Sequence, residues 1–163
     1  MLPDRISGLL IGSAIGIIYD TNMNPSIVID TNVLLAALKS KRGASYRLLT
    51  LLGTDHFTLS ISVPLLLEYE AVVSQYLVET GLSSNDLADI LDYVCATSQH
   101  QRIYYLWRPF LKDTKDDMVL ELAVAASSQV VITFNQKDFR GIEQFGLRAM
   151  TPKEFLEWIG VKQ

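Results

Sequence analysis

Acidic residues stand beside three apolar runs of the sequence, in positions that could bring their carboxylates together. They are Asp30, Glu68, Asp116, Asp117 and Asp138. Asp30 follows the run 26–29, and Glu68 lies one turn into the helix predicted after the run 57–61. Asp116 and Asp117 open the helix predicted before the run 130–133, and Asp138 lies just beyond that run. Because active groups of open parallel sheets gather at the carboxyl ends of the strands, we expect these side chains to meet there.

A cluster of carboxylates has one strong chemical use. Carboxylates held close together repel one another, and a divalent cation relieves that repulsion. Such a cation lowers the pKa of bound water and neutralises phosphate oxygens, which suits phosphodiester hydrolysis. The chain has only two histidines and one cysteine, so a metal site here needs oxygen ligands, which favours Mg²⁺ or Mn²⁺. The net charge of −4 argues against a general nucleic-acid coat but is compatible with a carboxylate site.

Each acid also has an ordinary structural explanation. Asp30 could cap a helix, Glu68 could be a solvated helix residue, and Asp138 could belong to a surface turn. Asp116 and Asp117 fit the first turn of a helix, where the helix dipole favours negative charge. Their joint placement is therefore the argument for a site. Glu121 follows Asp117 by four residues and shares its helix face, so we expect it either to support the site or to pair with a lysine.

Strands and helices alternate along the chain, which predicts one α/β domain with a mainly parallel sheet. The predicted strands cover 26–29, 57–61, 102–107, 130–133 and 147–150. The predicted helices begin near residues 32, 44, 64, 84, 116 and 152, with the third running to about residue 77. Ser62 before Pro64, and Thr151 before Pro152, are typical helix-start patterns.

The first 23 residues are predicted to be an N-terminal extension, and residues 24–163 the folded domain. The apolar run 6–19 is shorter than the roughly 20 residues that a membrane-spanning helix needs. A true start at Met23, or an extension without order, is favoured over a targeting segment. The single Cys95 excludes an internal disulfide and fits a reducing compartment. We expect a cytoplasmic protein with no membrane partner.

Four segments resemble the PIN-domain family in order and spacing: VIDTNVLLAAL, SVPLLLEYEAV, KDDMVLELAVAA and VVITFNQKDF. The branch that they resemble comprises the toxins of bacterial toxin–antitoxin pairs, the VapC-like ribonucleases. The resemblance covers residues 24–158. It implies a three-layer α/β/α sandwich around a central parallel sheet, and a Mg²⁺- or Mn²⁺-dependent endoribonuclease.

The same resemblance assigns roles to particular residues. Asp30 and Glu68 match the first two catalytic acids of the family. The third falls on Asp116 or Asp117, and the distance to Thr133 favours Asp117. Many relatives carry aspartate at the position of Asn135.

Asp138 is expected to supply the charge that is missing at that fourth position, while Asn135 offers a carbonyl oxygen or orients a water molecule. Thr31 and Asn32 complete the first motif. They are expected to cap the first helix and fix the turn at Asp30, or to help hold the metal.

The resemblance also implies partners: an RNA substrate, a cognate antitoxin protein and a second copy of the chain in a homodimer. Basic residues near the first and last motifs could contact phosphates; they are Lys39, Lys41, Arg42, Arg47, Lys137 and Arg140. The alternative is a catalytically inactive PIN-fold binding module. Because inactive versions usually lose one of the first three acids and this chain keeps all three, we expect an enzyme. A phosphatase with Asp30 as nucleophile is disfavoured by Asn32.

Overall fold

A five-stranded parallel sheet forms the centre of the protein, with strand order β3-β2-β1-β4-β5. The computed structural model describes residues 24–104, 106 and 108–161. The strands are β1 (Ser26–Ile29), β2 (Thr58–Ile61), β3 (Gln99–His100), β4 (Val130–Ile132) and β5 (Arg148–Met150). All four strand pairings are parallel, with Ile27 opposite both Leu59 on β2 and Val130 on β4.

Helices cover both faces of this sheet. They are α1 (Thr31–Lys39), α2 (Ala44–Thr50), α3 (Val63–Ser74), α4 (Leu77–Thr80), α5 (Ser84–Thr97), α6 (Thr114–Ala125) and α7 (Pro152–Trp158). Two short 3-10 turns, Gln136–Phe139 and Ile142–Phe145, connect β4 to β5.

The central strand β1 shows why two cores form. Alternate residues of a strand point to opposite faces, and all of β1 after Ser26 is buried. Val28 packs into the core that includes Leu65 of α3 and Leu120 of α6. Ile27 and Ile29 pack into the other core, which includes residues of α2 and α7. The predicted three-layer α/β/α sandwich is confirmed, and the described sheet is entirely parallel.

Capping residues fix where several helices begin. The Ser62 hydroxyl accepts a hydrogen bond from the Leu65 N–H, and Pro64 stands in the first turn of α3. Thr151 and Glu154 form a reciprocal capping box at the start of α7. Ser83, rather than Ser84, caps α5 in the same way with Asp86. Each such cap satisfies backbone N–H groups that the first turn leaves unpaired.

Two sequence-based assignments were wrong. The strand expected over 102–107 is absent in the part of that segment that the structure describes: β3 ends at His100, and Tyr104 and Leu106 are largely exposed. Their aromatic and apolar character favoured a strand, but β2 offers β3 only two paired residues. The helix expected to run from residue 64 to 77 ends at Ser74 instead, and a separate short helix follows it.

The predictions made for residues 1–23 fall outside the described residues. In the described part of the chain, no helix combines the length and apolar character that crossing a bilayer requires.

Candidate acidic site at the carboxyl edge of the sheet

Asp30 stands at the carboxyl end of β1, in the middle of the sheet. Its backbone N–H donates to the Ile132 carbonyl at 2.9 Å, which joins it to the end of β4. Its carboxylate is buried and accepts a hydrogen bond of 2.7 Å from the Thr133 hydroxyl. Within the described chain the side chain makes no capping bond to α1. The geometry therefore supports a fixed carboxylate rather than an ordinary helix cap.

A small polar network holds Thr133 in turn. The Thr133 hydroxyl oxygen accepts from the Asn135 N–H at 3.0 Å and from the Asn32 side-chain amide at 3.4 Å. The Asn32 carbonyl oxygen accepts from the Phe134 N–H at 3.5 Å. Asn32 thus fixes the ends of β1 and β4 relative to each other, in agreement with the expected role of stabilising the Asp30 turn. Thr31 is buried beside it, and its N–H hydrogen bonds the Asp30 carboxylate.

Helix α3 brings Glu68 towards Asp30. Glu68 is partly buried, and its negative charge acts on the Asp30 carboxyl. The next residue, Tyr69, is buried and donates its hydroxyl to the Ile29 carbonyl, one residue before Asp30. Burial raises the pKa of this phenol, so it stays a donor. Tyr69 was not predicted as a site residue; its place directly after Glu68 was the only available signal.

The Asp116–Asp117 doublet divides between two environments. Asp116 is partly buried. Besides this burial, the negative charges of Asp30 and Asp138 raise the pKa of its carboxyl group. Asp117 is fully buried, and one of its oxygens accepts from the N–H groups of Leu111 at 2.8 Å and Phe110 at 3.3 Å. Its other oxygen has no hydrogen-bond partner among the described residues. The structure therefore favours Asp116 over Asp117 as the acid that joins Asp30.

Asp138 lies in the exposed 3-10 turn after β4. It borders an open cleft of about 390 Å³, whose other lining residues are Lys112, Asp113 and Thr114. Asn135 precedes this turn and is exposed, and its carbonyl accepts from the Asp138 N–H at 2.9 Å. The backbone contact links the two candidates for the fourth position of the site.

Glu121 pairs with an arginine, Arg108, in the described part of the chain. The Arg108 guanidinium contacts both carboxylate oxygens of Glu121, at 3.0 and 3.2 Å. Glu121 is almost fully buried, whereas Arg108 is partly exposed. Because buried carboxylates need such a partner, this contact and the Asp117 bonds together attach the segment before α6 to the helix. Sequence reasoning did not identify Arg108, which lies 13 residues from its partner.

Lys39, the first residue of the expected basic patch, lies away from the acids. Helix α1 starts beside Asp30 and runs for nine residues, which places Lys39 about 12 Å away along the helix axis. Lys39 is also engaged by Glu79 at 2.8 Å and lies over the ring of Tyr76. Lys112, which the sequence interpretation did not include, is the cation that lines the cleft beside Asp138.

The electrostatics of the four acids favour a cation. Burial raises the pKa of Asp30; the Thr133 and Thr31 hydrogen bonds lower it, and Glu68 and Asp138 raise it. Burial, and then the charges of Asp30, Asp113, Asp138 and Asp117, raise the pKa of Asp116 to about 6. The contributions of neighbouring acids to these two pKa shifts reflect repulsion between carboxylates. An all-oxygen set of this kind suits a hard divalent cation.

The acids do not form a closed cage. In the described ranges, no three acidic, histidine or cysteine side chains already converge as a metal site. Magnesium is usually held by one or two carboxylates and keeps several waters, so an open arrangement at the sheet edge still fits such an ion.

The fold and site define a class: an α/β/α protein with a carboxylate cluster where its parallel strands end. The PIN-domain family matches residues 26–137, which span β1 to the Asp138 turn. The chain belongs to the PIN-domain family. No curated protein matches it.

A solved structure shows the same fold in another organism. The chain is similar to a chain in the crystal structure of VapBC2 from Rickettsia felis bound to a DNA fragment from their promoter. The sequences are 18% identical, the TM-score is 0.54, and the match covers 77% of this chain and 98% of the other. At this identity the comparison supports the fold.

Proposed function

We propose that this protein is a metal-dependent endoribonuclease that hydrolyses RNA phosphodiester bonds at the acidic edge of its sheet. The observation that carries the proposal is the buried Asp30 carboxylate at the carboxyl end of β1: besides burial, the charges of Glu68 and Asp138 raise its pKa, and besides burial those of Asp30 and Asp138 raise the pKa of Asp116. A protein gains nothing in stability from such repulsion, whereas a cation site requires it. Membership of the PIN-domain family supports the nuclease class.

Asp30, Glu68 and Asp116 are the residues proposed to hold Mg²⁺ or Mn²⁺, with Asp138 completing the set. When bound, the divalent ion supplies activated water and neutralises charge on the phosphate oxygens. Thr133 and the Thr31 N–H keep the Asp30 carboxylate in one orientation, which pre-organises it. Lys112 and Asp138 face the same cleft, so Lys112 is placed to contact the RNA backbone. Asn135 is retained as a supporting residue that can orient water.

Asp117 keeps a different proposed role. Because it is buried and receives the N–H groups of residues 110 and 111, it positions the start of α6, which carries Asp116. Glu121 supports the same segment through Arg108. Sequence spacing supports Asp117 as a ligand, whereas its burial and its backbone hydrogen bonds support the positioning role proposed here.

RNA cleavage by the purified protein tests this proposal against an inactive binding module. We expect cleavage with Mg²⁺ or Mn²⁺, and none with EDTA. Glu68→Gln is expected to lower the rate more than about 100-fold, since loss of a group that only orients a ligand already costs 10–100-fold. Glu70→Gln changes an exposed acid on the same helix and should leave the rate unchanged. A folded wild-type protein that binds metal and RNA but cleaves no RNA would support the binding module instead.

We also propose that the chain acts as the toxin of a toxin–antitoxin pair in the cytoplasm, as a homodimer with a cognate antitoxin protein. The fold similarity to a chain of the VapBC2 structure supports this idea. Production of the protein should arrest growth, Asp30→Asn should abolish the arrest, and a neighbouring gene product should relieve it by binding. Unimpeded growth with active, soluble nuclease present would argue against a toxin role.

A further inference from the structure

Phe134 is an exposed aromatic residue beside the acidic site. It follows Thr133 directly, at the carboxyl end of β4, and 49% of its surface is exposed. Phe57, Phe139 and Phe155 are each less than 5% exposed and Phe110 is 36% exposed, so Phe134 is the most exposed of the phenylalanines. A single exposed apolar side chain is common on protein surfaces, and its position and rigidity must therefore carry the argument.

The backbone around Phe134 is fixed on both sides. The Thr133 N–H donates to the Met150 carbonyl at 2.9 Å, and its hydroxyl donates to Asp30. The Phe134 N–H faces the Asn32 side chain, and the Asn135 N–H donates to the Thr133 hydroxyl. The ring is thus presented on the same polar network that orients Asp30. A backbone held in this way loses little conformational entropy when the side chain that it carries binds a ligand.

The charges around this ring restrict what it can bind. Asp30 and Asp138 lie on the same sheet edge, and each raises the pKa of a neighbouring acid. Without a cation between them, these carboxylates would repel a phosphate group, so the ring must contribute affinity through an uncharged part of the RNA. The face of a nucleobase is uncharged, and aromatic side chains bind it by stacking regardless of base identity. Bases are available for stacking only where the nucleic acid is single-stranded or locally opened.

We propose that Phe134 stacks on one unpaired base of a single-stranded RNA, next to the phosphate that the acidic site cleaves. The inference rests on the proposed function and assigns to it one residue that contacts a base. Phe134 is a positioning residue for RNA, and the stacked base sets which phosphodiester reaches the carboxylates.

A double-mutant cycle tests this contact directly. The protein would carry Asp30→Asn so that RNA remains intact in Mg²⁺, and binding of a fluorescein-labelled single-stranded oligoribonucleotide would be followed by anisotropy. One nucleotide at a time is replaced by an abasic one. With Phe134 present, we expect one position at which base removal weakens binding by about 5- to 100-fold, the range of aromatic–base stacking. In the Phe134→Ala protein, removal of that base should no longer weaken binding. In the Phe134→Trp protein, removal of the same base should weaken binding again.

Val78→Ala is the control, because Val78 is 96% exposed on α4, near the far end of α1. It should bind all oligonucleotides as the parent does. Equal abasic penalties in the parent and in Phe134→Ala overturn the inference, as does absence of RNA binding by every version. So does a Phe134→Ala protein that binds RNA normally but loses a protein partner. Failure of wild-type cleavage with an intact cycle would overturn only the nuclease proposal.

Discussion

The difference between two adjacent aspartates decides how this site is understood. Asp116 is partly exposed and repelled by other acids, whereas Asp117 is buried and bonded to backbone N–H groups. The environment of Asp116 suits a residue that binds a cation, and the environment of Asp117 suits a residue that holds a loop in place. Sequence spacing favoured Asp117 by its distance to Thr133, but it could not show these two environments, because both residues lie in the first turn of the same helix.

Alanine at each position should give opposite results. Asp116→Ala is expected to reduce RNA cleavage more than about 100-fold while the protein remains at least as stable as wild type. Asp117→Ala removes the acceptor of two N–H groups, and should lower the free energy of unfolding by about 2–4 kcal/mol. Urea denaturation and initial cleavage rates measure both effects. An Asp117→Ala protein that is fully stable and inactive, beside an active Asp116→Ala protein, would show that the ligand assignment is reversed.

The raised pKa of Asp116 also predicts how stability depends on pH. Its folded-state pKa of about 6 lies above the ordinary value of 3.8, so ionisation of Asp116 destabilises the folded state. The penalty is fully present above about pH 6 and disappears below about pH 4. In EDTA, Asp116→Asn should therefore raise Tm at pH 7.5 by about 2–4 °C, which corresponds to about 1 kcal/mol after screening.

At pH 4 the two proteins should melt together, and saturating Mg²⁺ at pH 7.5 should favour the wild type. Differential scanning calorimetry at the two pH values provides the measurement. A variant with a lower Tm than wild type at pH 7.5 in EDTA would contradict the electrostatic account.

At the residue level, the sequence was sufficient to predict Asp30, Glu68 and Asp138 as candidates. Asp30 and Asp138 lie just after predicted strands, and Glu68 lies one turn into the helix that follows a strand. The sequence favoured Asp117 over Asp116 on spacing alone, since consecutive helix residues point about 100° apart and the packing that sets the rotation of α6 has no local signature. It also missed Tyr69 and Arg108, whose hydrogen-bond partners lie 40 and 13 residues away.

Among the elements, α3 is joined to the central strand β1 by a side-chain hydrogen bond. It carries Glu68, and its Tyr69 hydroxyl bonds the Ile29 carbonyl, one residue before Asp30. The position of one acid thus depends on the same side chain that fixes the backbone of the other.

Tyr69→Phe should weaken the site as well as the fold. Loss of the hydroxyl leaves a buried carbonyl with one partner fewer, and should cost about 1–3 kcal/mol. The Mg²⁺ concentration for half-maximal cleavage should rise several-fold. Tyr93→Phe is a matched control, because it removes a 2.9 Å hydroxyl-to-carbonyl bond to Leu52, away from the acids. If the two variants need the same Mg²⁺ concentration for half-maximal cleavage, Tyr69 stabilises the fold without affecting the metal site.

Element prediction succeeded where local signals and tertiary packing agree. The capping residues of α3 and α7 and the buried run of β1 were recognised because each is encoded within a few residues. The segment 102–107 was misassigned because its composition is typical of a strand, whereas its path depends on a distant contact. Arg108 of the following loop pairs with Glu121 of α6, and that contact has no local signature.

At the scale of the whole molecule, two cores on either side of the sheet hold the acidic edge in place. Both cores consist of residues between Ile27 and Leu156, within the range 24–163 expected to form the domain. A protein comprising residues 24–163 should therefore unfold in one cooperative transition and cleave RNA at the rate of the full chain. Calorimetry and a cleavage assay on both lengths check this expectation. A truncated protein that is unfolded or inactive would show that the first 23 residues belong to the functional unit.

Equilibrium binding of Mn²⁺, followed by electron paramagnetic resonance of the free ion, tests the central claim most directly. The wild-type protein should bind at least one Mn²⁺ per chain at pH 7.5. Asp30→Asn should weaken that binding by more than about tenfold, whereas Glu70→Gln should leave it unchanged. Equal binding by wild type and Asp30→Asn, or none by either folded protein, would contradict the assignment of the acidic edge as a cation site.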